Sequence, residues 1–289
     1  MRKSLCLILV FILALLLCAC NSAQPKSNDP DKANSNPAQT VATETTGNAS
    51  EAATTGTAIE TTPIESTQAE TTPEPTAPAH SPLYLADYTP EQIWEYFEEV
   101  VLHMEYTDGT GNPALVQKWL TPLCYRISGS PTDEDLAILE DFFAQLNNVP
   151  GVPGIHPAAE GELHNLDIRF LDHQTFRLAF SATLNGEDAY GAAQFWYYTA
   201  TNELHTANIG YRTDMDQETR ASILIEEIIN TLGITDTVLR TDSIVYQYSD
   251  ENLTLSDVDW VILKLLYNPA IQCGMNAEQC RAIVQQLYY

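Results

Sequence analysis

Four polar side chains at the end of one apolar helix have the spacing of a site. In the stretch 223–236, ILIEEIINTLGITD, Glu226 and Asn230 are four residues apart and share a helical face. Glu227 lies beside them, Gly233 is a helix stop, and Asp236 follows three residues later. Glu226, Asn230 and Asp236 offer oxygen donors only. Such a set suits calcium, magnesium or manganese, whereas zinc favours histidine nitrogen and cysteine sulfur. Glu226 and Asn230 on an exposed helical face are, in the simpler reading, solvated polar residues that bind no cofactor. The chemistry is then either that of a divalent metal with oxygen ligands or none.

The remaining reactive side chains are scattered. His103, His156, His164, His173 and His205 form no H-x-x-x-H pair, and His80 falls in a stretch read below as tether. His164 and His205 are candidates to approach each other across a sheet. The chain has no C-x-x-C, G-x-S-x-G, P-loop or dinucleotide fingerprint, and Ser128-Gly129-Ser130 reads as a turn. Cys273 and Cys280, seven apart around Gly274-Met275, are spaced for a small disulfide loop. Cys124 is then left over, expected to be inert in a buried strand.

The elements that must position these residues begin at Leu83. Thr89-Pro90 starts a helix with Trp94, Phe97 and Val101 on its inner face. The segment TDGTGNP is a loop. A strand follows over 123–127, and Thr132 caps a helix whose buried face is Leu136, Leu139, Phe143 and Leu146. Alternation predicts strands over 166–170, 176–180, 192–198 and 204–212, in one mixed or antiparallel sheet. Asp216 caps the helix that carries Glu226 to Asn230. Ser256, with Asp259 three residues on, caps the next, which stops at Asn268-Pro269, and Asn276 caps the last. The fold class is α+β, a mixed sheet backed by helices.

Upstream of this domain the composition changes. Arg2-Lys3 precedes an apolar run too short for a comfortable membrane span, as in a secretory signal. Residues 21–82 contain no Phe, Trp or Tyr and are rich in Thr, Ala, Pro, Ser and Glu. They cannot bury enough apolar surface to offset chain entropy, so the reading is a disordered tether spanning about 45 Å. With 39 acids against 13 Lys+Arg, the net charge is −26, which excludes binding to nucleic-acid phosphates.

Leu17-Cys18-Ala19-Cys20 resembles the lipobox of bacterial lipoproteins. The resemblance implies cleavage after 19, lipidation of Cys20, and anchoring to the cell membrane on its extracytoplasmic side. The domains expected are a signal peptide over 1–19, a tether over 20–82 and one globular domain over 83–289.

The frame from Glu226 to Asp236 resembles H-E-x-x-H-x-x-G-x-x-H of metzincin peptidases, with Glu227 and Gly233 in place and Glu226, Asn230 and Asp236 at the three zinc positions. Asp242-Ser243-Ile244-Val245-Tyr246 resembles the methionine turn of the matrixin branch, with Val245 at the methionine position. Residues 255–267 resemble the helix that closes matrixin domains. A closer resemblance, over roughly residues 88–289, is to an uncharacterised family of bacterial lipoproteins, a domain of unknown function. It is carried by E-E-x-x-[QN]-x-L-G (226–233), D-S-I (242–244), Ser256-Asp257, Leu266-Tyr267-x-Pro269 and Gly274-Met275.

These likenesses imply a zincin-like fold. They imply a non-catalytic binding module whose ligand, an envelope protein or peptide, lies between the sheet edge and the 217–232 helix. The alternative they imply is a metal-dependent hydrolase with Glu227 as general base and a metal at Glu226, Asn230 and Asp236. A purely structural lipoprotein is a third reading.

Overall fold

In a computed structural model of the chain, the residues described are 80–102, 114–184, 186, 188–248 and 251–289. The expected signal peptide, Cys20, the tether up to residue 79, His103 and the 107–113 loop lie outside them.

The chain alternates strands and helices and then ends in helices. The elements in order are α1 (Pro90–Leu102), β1 (Lys118–Trp119), β2 (Leu123–Gly129), α2 (Asp133–Leu146), β3 (Ile155–Pro157) and β4 (Leu166–Leu171). Next come α3 (His173–Ala179), α4 (Ser181–Leu184), β5 (Gly191–Tyr197), β6 (Glu203–Arg212), α5 (Gln217–Thr231), α6 (Asp257–Leu266) and α7 (Ala277–Tyr288).

All six strands share one sheet. β4 lies between β2 and β6, β3 flanks β2, and these pairings are parallel. β1 runs parallel to the start of β6, and β5 joins β6 antiparallel. The sheet is therefore mixed but mostly parallel, which needs helical cover on its faces.

Period-two alternation divides the two faces. Leu166, Ile168 and Phe170 of β4 join Ala207, Ile209 and Tyr211 of β6 in the main core, with apolar residues of α1, α2, α5, α6 and α7. The opposite face carries a smaller cluster of Phe176, Phe180, Leu184, Ala189 and Ala192 beneath α3 and α4. Each fully buried aromatic of the main core, such as Phe97 or Trp119, contributes about 1.5–3 kcal/mol relative to exposure.

The capping signals in the sequence correspond to real helix starts. Thr132 and Ser256 each accept from the N–H three residues on, and Asp135 and Asp259 return the bond to the cap backbone. Asn276 and Gln279 do the same for α7, and Asp216 caps α5.

The predicted strand over 176–180 is instead α3. Asp172 accepts from Thr175 N–H at 3.0 Å as its cap, and Phe176, Phe180 and Leu184 recur every four residues, so all three meet one face of the sheet. Leu136, expected inside, is 38% exposed, and Phe142 is buried in α2 instead. The folded region also begins before Leu83. His80 stacks on Tyr84 at 4.0 Å, and Ser81 N–H bonds the carbonyl of Tyr289 at 3.2 Å, so His80 is part of the fold rather than the tether.

The two residues of β1 fasten the ends of two helices. Lys118 Nζ donates to the carbonyls of Leu266, Asn268 and Ile271, closing the C-terminus of α6 with a buried cation. Trp119 Nε1 donates to Thr231 O at 2.8 Å, and Tyr267 Oη donates to Leu232 O at 3.0 Å, so the last carbonyls of α5 are occupied. Gly233 follows at φ +94°, and a Cβ there would stand 2.2 Å from Gln117 O. Only glycine fits the exit from α5.

Candidate functional site

α5 crosses the main-core face of the sheet, and the polar side chains of its second half are not solvated. Glu226, Glu227 and Asn230 are 1%, 0% and 1% exposed, which overturns the expectation of an exposed helical face. Beneath them Tyr211 is fully buried and donates to Leu224 O at 2.8 Å. Burial, then the carboxylates of Glu227, Asp135 and Glu226, push its phenol well above the ordinary value, so three acids surround one neutral hydroxyl.

One arginine lies at the start of the same helix. Arg220 Nε donates to Asp135 Oδ1 at 2.8 Å, and Gln217 Nε2 donates to the same oxygen at 2.7 Å. Burial alone would raise the Asp135 carboxyl. The bonds from Arg220, Thr132 and Gln217 outweigh it and hold the group below the usual carboxylate range.

At the other end of α5 the frame is partly assembled. Asn230 Nδ2 donates to Asp236 Oδ1 at 3.4 Å, across the turn made by Gly233. Asn230 Oδ1 is buried with no hydrogen-bond partner among the described residues. Asp236 is half-buried and opens onto a groove of about 570 Å³, lined by Glu95, Glu98 and Glu99 of α1 with Val238, Leu239 and Gln247. Glu99 receives the Thr237 hydroxyl at 2.8 Å and Val238 N–H at 2.9 Å, fixing that wall.

The chain then folds back under α5. Thr237 N–H bonds Val245 O, and Gln247 N–H bonds Thr237 O. Ile244 and Val245 are buried and share a cavity of about 10 Å³ with Ile229 of α5. Asp259 holds this turn. It accepts from Ser243 Oγ at 2.8 Å, Ile244 N–H at 3.2 Å and Tyr96 Oη at 2.6 Å. Burial, then the Asp259 carboxylate, push the Tyr96 phenol well above its ordinary value and keep it a donor.

Glu227 points toward the start of β5. A Cβ on Gly191 would lie 2.4 Å from Ile223 Cγ2 and 2.6 Å from Glu227 Oε1. Helix and strand approach this closely only because residue 191 has no side chain. Among the described residues β5 pairs with β6 alone, so the sheet ends at β5.

The cysteines fall differently from expectation. Cys273 and Cys280 are both free thiols rather than a bridge, and Cys273 Sγ donates to Lys118 O at 3.6 Å. Burial raises both thiols, Cys280 to about 11, so neither is activated. His164 faces Asp167 at 3.9 Å and His205 stacks on Tyr198. Cys124 is buried, but it is not isolated. One donor atom each from Cys124, His156 and Glu162 lie within 4.8 Å of one another. The sequence spacing of these three, 124, 156 and 162, matches no metal motif, and only strand pairing reveals them.

The architecture defines an α/β domain with a mostly parallel sheet and a long helix whose acidic face is buried against the last strands. The family model described as a protein of unknown function (DUF2927) matches residues 90–286. The chain belongs to the DUF2927 family. No curated protein matches it, and no helix among the described residues is long and apolar enough to cross a membrane.

Proposed function

We propose that this protein is a lipid-anchored, extracytoplasmic protein of the bacterial envelope whose domain is a non-catalytic binding module on a zincin-like fold. Lipidation falls on Cys20, and the partner is a protein segment or peptide of the envelope. The element order supports the fold reading: a sheet, then α5 with Glu227 and Gly233, then a buried turn at 243–245, then a closing helix.

The observation that carries the binding role is the state of the α5 frame. Its three ligand positions hold Glu226, Asn230 and Asp236, none of which supplies the nitrogen or sulfur of a zinc site. Asn230 is turned onto Asp236, and the frame does not fit zinc. Beside it lies the groove with four carboxylates and two exposed apolar side chains, Val238 and Leu239. A peptide segment with cationic and apolar side chains complements that lining.

A second reading is a metal-dependent hydrolase with Glu227 as general base and a hard cation at Glu226, Asn230 and Asp236. It is favoured by Asn230 Oδ1, a buried acceptor without a hydrogen-bond partner.

One preparation tests both. The full chain, expressed in bacteria with labelled palmitate and then incubated with Zn²⁺, Mn²⁺ or Ca²⁺, is compared with Cys20→Ala and Asp236→Ala. The expected results are label that disappears in Cys20→Ala, and metal content that Asp236→Ala leaves unchanged. Metal lost on Asp236→Ala, together with peptide hydrolysis by the parent chain, would replace the binding reading with the hydrolase. Equal label in parent and Cys20→Ala would overturn the anchor.

A further inference from the structure

Two neighbouring strands and one turn bring together a thiol, an imidazole and a carboxylate on the sheet face opposite the main core. Cys124 of β2 and His156 of β3 are register partners in a parallel pair. Partners on adjacent parallel strands project to the same face, about 4.8 Å apart at the backbone. Leu123, paired with Ile155, and Tyr125 pack against the main core, so Cys124 and His156 face the other way.

The chain after β3 then returns over this pair. Ala158 N–H bonds Tyr125 O at 2.8 Å, Glu162 N–H closes a turn on Ala159 O at 3.0 Å, and Asn165 N–H bonds Cys124 O at 3.0 Å. Asn165 Oδ1 also accepts from Cys124 N–H at 2.7 Å, and Asn165 Nδ2 donates to Pro122 O. The loop therefore starts and ends beside Cys124, and Glu162 at its middle lies over the thiol.

The geometry points to a zinc-binding site formed by Cys124, His156 and Glu162, with a fourth position open to water. The donor set is the one zinc prefers, and three protein ligands plus an open position is a regular zinc arrangement. Bonds of about 2.0–2.3 Å at tetrahedral angles separate donors by about 3.5 Å. The three donor atoms are already within 4.8 Å of one another, and the exposed side chains of His156 and Glu162 need only small rotations to close on a cation. A thiolate and a carboxylate balance the charge of Zn²⁺.

Outer partners hold the ligands in orientation. His156 Nδ1 lies 3.2 Å from Pro157 O, and Glu162 Oε2 accepts from Ala159 N–H at 2.8 Å. Without a cation the Cys124 thiol is raised by burial first and by Glu162 second, so it is a poor nucleophile. That disfavours thiol catalysis at this cluster.

Cobalt is the direct probe, because thiolate ligation gives Co²⁺ a charge-transfer band in the near ultraviolet. Titration of the full chain is expected to give this band at one Co²⁺ per chain, bleached by Zn²⁺. Cys124→Ser and Cys124→Ala are expected to abolish it. His156→Gln and Glu162→Gln are each expected to weaken binding by about 100-fold or more. These two side chains are exposed, so their replacement leaves folding intact and the circular dichroism unchanged. Asp236→Ala is expected to retain the band, which separates this site from the α5 frame. No thiolate band in the parent chain, or a band that survives Cys124→Ser, would overturn the site, as would affinities unchanged in both His156→Gln and Glu162→Gln.

Discussion

Asp135→Ala is expected to lower the unfolding free energy by about 3–5 kcal/mol, the cost of stranding a buried charge. Asp135 is 0% exposed and Arg220 only 6%, so water does not reach the guanidinium once the carboxylate is gone. The same carboxylate accepts from Thr132 N–H at 2.8 Å, so the return half of the α2 capping box is lost as well. Urea unfolding followed by circular dichroism reads the effect. A double variant, Asp135→Leu with Arg220→Met, should recover most of the loss, because it leaves no charge behind. A loss below about 1 kcal/mol in the single variant would mean that the pair is solvated in solution.

The pH dependence has a definite sign. The Asp135 carboxyl is held below its unfolded value, so its stabilisation is present above the unfolded pKa of about 3.9 and is lost as pH falls through the folded value. Asp135→Asn should therefore flatten the acid limb of the stability curve below about pH 4.

Asp259→Ala is expected to destabilise the domain by about 3–4 kcal/mol, since each buried donor left unsatisfied costs about 1–3 kcal/mol and the donors relax together. One carboxylate joins three segments: Tyr96 of α1, the 243–245 turn and the Ser256 cap of α6. Tyr96→Phe removes one donor and leaves the rest satisfied, so about 1 kcal/mol is expected. If Tyr96→Phe proved as damaging as Asp259→Ala in the same unfolding assay, the central role would belong to the phenol instead. The 243–245 turn packs against α5, so hydrogen exchange at Ile244 and Val245 should rise in Asp259→Ala before the sheet is affected.

Much of this arrangement was legible in the sequence because local chemistry sets it. Ser256 with Asp259, Thr132 with Asp135, and Asp216 before α5 are capping signals that need no tertiary context. The strands at 166–170 and 204–212 followed from alternation, which does not report that they pair in parallel. The failures have physical causes. Residues 176–180 alternate like a strand, yet the cap at Asp172 and the four-residue recurrence of Phe176, Phe180 and Leu184 decide for a helix. Glu226 and Asn230 look solvated on a helical wheel, but α5 is covered on that side too, and charge type alone does not report burial. β3 has only three residues, too few for periodicity, and with it went the meeting of Cys124 and His156. Long-range strand register sets that meeting, and no short motif encodes register.

The entry and exit of the folded chain are tied together. Ser81 bonds the last residue, Tyr288 Oη donates to Leu85 O at 2.9 Å, and α1 packs on α7, where Arg281 reaches Glu91 at 2.6 Å. Tension applied upstream of His80 therefore enters at this seam and passes directly to α7. Neither β2 nor β3 belongs to the seam, so the Cys124 cluster sits outside the first path of mechanical load, whereas α1 carries Glu95, Glu98 and Glu99 of the Asp236 groove and brings that groove into it. Under a steady pull the α1–α7 clasp is the part that would yield first, opening the Asp236 groove while the Cys124 cluster is still folded.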